Sequence, residues 1–183
     1  MITVLFGLLI ALPAIGEPSR TARASEQSYE AQVERAVFTT CPAVLHGDID
    51  LDTSGGVART GLRRAPGTLE AEVANQKYGK PKMVGTSIAG ASISLSYYPG
   101  TTLCIVTFEG PQREAVYDRI KAKVLTMPGF APDPANSGVQ GPLLAEAFRA
   151  TMLLELNHRL TLLRSPPGTV NPMSLAIIGY TKD

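Results

Sequence analysis

Tryptophan is absent, and aromatic residues make up only 6 % of the 183-residue chain. Stacking platforms for sugars and aromatic-rich interface hot spots are therefore poorly supplied. Neither sign of charge dominates: 17 Lys and Arg against 16 Asp and Glu leave a net +1. A nucleic-acid binder carries a basic excess or stripe, so that class is excluded. No apolar run reaches the ~20 residues of a spanning helix. No heptad run or internal repeat is visible. Cysteine occurs twice, without C-x-x-C or clustered Cys/His spacing, which argues against zinc. The phosphate-binding, dinucleotide-binding, H-E-x-x-H and Ser-x-x-Lys signatures are all missing, and no cofactor is implied. What is present is a 44 % hydrophobic composition. That excludes wholesale disorder, and the length suits one domain.

The amino-terminal segment reads as an address. Val4 to Leu12 is continuously apolar, and no charged side chain precedes Glu17. Its length is that of a signal-peptide apolar region. Pro13 breaks a helix where such regions end, and Ala14-Ile-Gly16 places small residues where a signal peptidase cuts. The expectation is a leader over residues 1–16, with an alternative end at residue 24 after Ala22-Arg-Ala24, and a single domain over 17–183. An uncleaved anchor or a buried amino-terminal strand remains the alternative. Expected location is periplasmic or secreted, with no membrane attachment after cleavage.

In an exported chain an even cysteine count favours a disulfide. Cys41 and Cys104 would close a span of 63 residues, and the loop-entropy model gives about 4 kcal/mol for such a loop. Two separate buried thiols are the alternative.

Along the domain the hydrophobic period changes once. Ser25 or Ser28 caps a helix to Cys41, with Val33, Val37 and Cys41 facing the core, and Pro42 ends or kinks it. Asp52 caps a short helix stopped by Gly61. Thr68 opens a third helix, 69–77. Period two then takes over: strands at 83–88, 92–98 and 102–108. Gly110-Pro111 begins a helix whose buried stripe is Val116, Ile120 and Val124 and whose wet side includes Arg113. The stretch 128–142 reads as a long loop. Beyond it a hairpin turning at Asn157-His158, with a return strand 159–164, competes with one long helix. A final strand covers 173–180. The fold class is α+β: an antiparallel sheet of five to six strands packed on two to four helices with one disulfide.

Candidate chemistry is sparse. His46-Gly-Asp48-Ile-Asp50-Leu-Asp52 alternates carboxylates, but an EF-hand needs Gly at its sixth position and Glu at its twelfth. Here Thr53 and Arg59 stand there. Asp52-Thr-Ser-Gly sets its glycine one residue late for an aspartic-protease turn, and Gly85-Thr-Ser87-Ile-Ala-Gly90 misses the nucleophile elbow by one residue. His46, Asp50 and Asp52 are the candidate catalytic residues. Arg59, Arg63 and Arg64 cluster as candidates for an anion, because guanidinium forks match carboxylate and phosphate. His46 and His158 both read as turn residues that could meet only in space.

Phe38-Thr-Thr-Cys41, Gly61-Leu62, Thr102-Leu-Cys104-Ile-Val106 and Ala147-Phe148-Arg149 together resemble small secreted proteobacterial proteins of uncharacterised role. The resemblance implies a disulfide-linked α+β domain and carries over no activity. The functional expectation is an exported, non-catalytic domain binding an unknown protein partner or small-molecule ligand. A small hydrolase using the His46–Asp52 segment with Arg63, and an accessory subunit of an envelope complex, are the alternatives.

Overall fold

The computed structural model describes residues 28–64, 79–88, 90–151, 156–170 and 172–182. The expected leader and the expected helix at 69–77 lie outside them.

Ser28 caps the first helix, its Oγ accepting from the Ala31 N–H at 3.3 Å. α1 (Tyr29–Arg35) runs into a π-turn (Ala36–Thr40) and then α2 (Cys41–Leu45). Pro42 therefore does not end the helix at Cys41. A proline ring inside a regular helix collides with the carbonyl four residues back and removes a hydrogen bond. Here the preceding turn is widened to i→i+5 pairing, the Cys41 N–H reaching the Ala36 carbonyl, and the ring is accommodated. Val33, Val37 and Cys41 stay on one buried stripe as expected. α3 (Ser54–Thr60) is capped by Thr53, whose Oγ1 accepts from the Gly56 N–H at 2.9 Å, and not by Asp52. Gly61 closes it in the left-handed region at φ 74°, a conformation that favours glycine.

Among the described residues nine strands form one antiparallel sheet: β1 (Arg63–Arg64), β2 (Lys82–Ile88), β3 (Ala91–Tyr97), β4 (Leu103–Glu109), β5 (Phe130–Pro132), β6 (Gly138–Gln140), β7 (Leu143–Thr151), β8 (Leu156–Arg164) and β9 (Ser174–Lys182). Their order is β1-β2-β3-β4-β9-β8-β7-β5, with β6 also on β7. The sheet exceeds the expected five to six strands because β1, β5 and β6 are two or three residues long, too short to show a period. The stretch 128–142 is thus no plain loop: β5, a 3-10 turn (Pro134–Asn136) and β6 edge β7. The helical alternative for the segment after it gives way to β7. Asn157 and His158 are not a turn; they pair with Thr151 and Ala150 inside β8.

The remaining helix, α4 (Arg113–Thr126), starts at Arg113 behind an N-cap at Gln112, two residues after Pro111. Its stripe of Val116, Tyr117, Ile120 and Val124 is fully buried. This stripe and α1–α2 cover one face of the sheet, burying Leu95, Val106, Phe108, Leu162 and Ala176 in a common core. Cys41 and Cys104 are bonded across that interface, with Cα atoms 5.7 Å apart. Glu34 binds Arg119 and Lys123 and so links α1 to α4. Lys121 meets Glu146 at 2.6 Å and links α4 to β7. Such partly exposed pairs add only about 0–1 kcal/mol each, so the apolar interface carries the packing.

Candidate functional site

The register sorts polar residues to the two ends of the sheet. Lys82 pairs with Tyr97, Tyr97 with Cys104 and Cys104 with Ile178, and two residues further along β9 Tyr180 pairs with His158. That row marks one end. The other end is the row Ser87, Ser92 and Glu109, joined pair by pair across β2, β3 and β4.

The residues singled out from sequence gather at the first end, and most of their polar atoms are engaged in holding loops. Asp52 Oδ2 lies 2.5 Å from Lys82 Nζ, and Asp50 Oδ1 lies 4.0 Å from the same nitrogen. The Asp52 hydrogen bond is the main reason the Lys82 ammonium titrates above its ordinary range. Asp50 Oδ1 also accepts from the Asp52 N–H at 2.9 Å. Arg59 donates to the Asp48 carbonyl at 2.6 Å, and Arg64 donates to the Asp52 carbonyl at 2.6 Å. Two of the three arginines proposed for an anion are thereby tied to backbone. Arg63 is exposed on β1. Ile49 and Leu51 anchor the segment in the core, so Asp48, Asp50 and Asp52 sit on its exposed side. Among the described residues no group of His, Cys, Asp and Glu could hold a metal ion.

The two histidines do approach each other. His46 caps α2 and His158 lies on β8. Burial is the larger cause that lowers the His158 imidazole below its ordinary range, and the charge of His46 adds to it. Chain folding makes this juxtaposition; no spacing signals it.

The second end holds a cleft of about 570 Å³, lined by Ser87, Gly90, Ala91, Ser92, Glu109, Gly110, Arg113 and Pro172. Its volume falls in the range of small-molecule sites, about 300–1,000 Å³. Gly90 turns β2 into β3 at φ 78°. Gly110 leaves β4 at φ 132°, and a Cβ there would lie 2.6 Å from the Ala91 Cβ. Backbone thus lies close against Ala91 on that side of the cleft. Ser92 Oγ lies 3.3 Å from Glu109 Oε2. The Glu109 carbonyl accepts the Tyr29 hydroxyl at 2.8 Å, fixing the strand end to α1.

Arg113 was expected on the wet side of its helix, yet its side chain is only 15 % exposed. Its guanidinium donates to the Pro172 carbonyl at 3.2 Å and to Glu114 at 2.5 Å, while Nε is buried without a partner. Arg164 also reaches Glu114, at 3.4 Å. These arginines hold the Glu114 carboxyl below its ordinary range, the Arg113 hydrogen bond being the largest cause. None of His46, Asp50, Asp52, Arg59, Arg63 and Arg64 lines the cleft. Of the motifs weighed in the sequence, the near-miss elbow Gly85–Gly90 supplies two lining residues, Ser87 and Gly90. A second signal was available: a cation in the first turn of a helix opposes the helix dipole, so Arg113 needs another reason to be there. The cleft combines two hydroxyls with one charge of each sign.

No protein-family model matches this chain, and no curated protein or solved structure is significantly similar to it.

Proposed function

We propose that the protein is an exported, non-catalytic domain that binds a small polar ligand in the cleft between β2, β3, β4 and α4. The carrying observation is the lining itself: Ser87, Ser92, Glu109 and Arg113 converge on one cavity of ligand size. Hydroxyls and charges supply oriented hydrogen bonds there. The Cys41–Cys104 bond supports the exported half of the reading, since disulfides persist in oxidising compartments. No helix among the described residues is long and apolar enough to cross a membrane.

Two measurements test the reading. The full chain is expressed in a Gram-negative bacterium and fractionated by osmotic shock. Mass spectrometry is expected to find it in the shock fluid, shortened at residue 16 or 24 and heavier by two hydrogens after reduction. Full-length chain confined to the cytoplasm overturns the exported half. Separately, thermal melting is followed against a panel of amino acids, simple amines, simple carboxylates and monosaccharides. At least one class is expected to raise the melting temperature of the wild-type protein and not of Ser92→Ala. A panel with no effect overturns the binding half.

A further inference from the structure

We infer that the cleft takes a small zwitterion, a ligand bearing both a primary ammonium and a carboxylate, of amino-acid or short-peptide size. This rests on the cleft reading above and narrows it.

Two opposite charges share the cavity without meeting. Glu109 and Arg113 both line it, yet among the described residues no ion pair joins them. Arg113 is pinned: the Pro172 carbonyl and Glu114 hold its terminal nitrogens. It cannot swing to Glu109 without breaking both contacts. The Glu109 backbone is held by the strand ladder and by the Tyr29 hydroxyl on its carbonyl, and its carboxylate accepts from Ser92 Oγ at 3.3 Å. A pair fixed apart in a cavity favours a ligand carrying the inverse pair. An ammonium has three donors and no acceptor. The row Ser87, Ser92 and Glu109, one residue on each of three adjacent strands, offers three acceptors at spacings of about 5 Å. The ligand carboxylate then faces the Arg113 guanidinium, which has five N–H donors and uses two of them in the contacts above. A sugar would bring no charge to answer either Glu109 or Arg113, and a simple amine would answer Glu109 alone.

The panel measurement is sharpened to decide this. At least one standard amino acid is expected to raise the melting temperature. Its N-acetyl derivative and its decarboxylated amine are each expected to bind about tenfold or more weakly, a difference of about 1.4 kcal/mol. Glu109→Gln is expected to weaken the amino acid by a similar factor. That variant keeps the carbonyl that holds Tyr29 and an oxygen for Ser92, so its fold is retained; Ser87→Ala, at an exposed position, gives a second and milder loss. Equal binding of the N-acetyl form, or undiminished binding by Glu109→Gln, overturns the zwitterion. A response to monosaccharides alone also overturns it while leaving the cleft as a binding site. No response from any class removes the binding reading together with it.

Discussion

Tyr29 shows how one side chain serves packing and site at once. Its ring is buried and its hydroxyl donates to the Glu109 carbonyl. Burial, followed by the Glu109 charge, pushes its hydroxyl up to about 12. The unfolded chain loses that proton near pH 10, so between those values the folded state binds more protons. Stability from this group is present below about pH 10 and is lost as pH rises through about 12. Chemical denaturation across alkaline pH is expected to show this fall, and Tyr29→Phe is expected to flatten it. His158 acts in the opposite direction. Its depressed imidazole favours the neutral form in the fold. The contribution is present above the unfolded value near 6.5 and declines as pH falls below it. His158→Gln is expected to make denaturation midpoints less sensitive to mild acid. At this scale the sequence was least legible. Residue type marks what a group can do, whereas its titration depends on neighbours supplied by distant strands.

Elements were more legible, and each success or miss has a local cause. The alternation Ile93, Leu95 against Ser92, Ser94, Ser96 is a direct image of a strand with one buried face, and β3 follows it. The four-residue stripe of α4 likewise needed only helical geometry. β5 and β6 escaped notice because three residues in a Pro- and Gly-rich stretch display no period. The π-turn before Pro42 escaped because no residue pattern encodes it. The Asp48–Thr60 segment yields a prediction here. Gly56 packs so tightly that an added Cβ would sit 1.8 Å from the Asp50 carbonyl oxygen. Gly56→Ala is expected to cost about 1–3 kcal/mol, as overpacking does, read as a lower urea midpoint. Thr53→Ala removes the cap that Gly56 donates to and is expected to cost about 1 kcal/mol. The cleft belongs to this scale as well. Its lining comes from the β2–β3 hairpin and the β4–α4 turn, which the β3–β4 pairing sets side by side, and the elbow motif pointed only to Ser87 and Gly90.

At the scale of the molecule the disulfide and the sheet order act together. Cys41 and Cys104 bind the first helical run to a central strand over 63 residues. Replacing both by alanine is expected to cost about 2–5 kcal/mol. For a chain of this length that lowers the melting temperature by roughly 2–4 °C per kcal/mol, and calorimetry of the variant and of the reduced wild type checks it. The expectation of an α+β fold with an antiparallel sheet and one disulfide held at this scale, because cysteine count and hydrophobic period are global properties of the chain.

The sheet consists of two runs of neighbouring strands, β1 to β4 and β5 to β9, and the ladder between β4 and β9 is where they meet. Both sulfurs lie in α2 and β4, on chain already made when β4 is complete, while the seam waits for the last strand to be delivered. A polypeptide supplied amino end first can therefore lock its front half by oxidation while β4 still presents a naked edge, and an unfinished edge recruits foreign strands. Molecules cut short before Ser174 are accordingly destined to be correctly cross-linked yet prone to clumping.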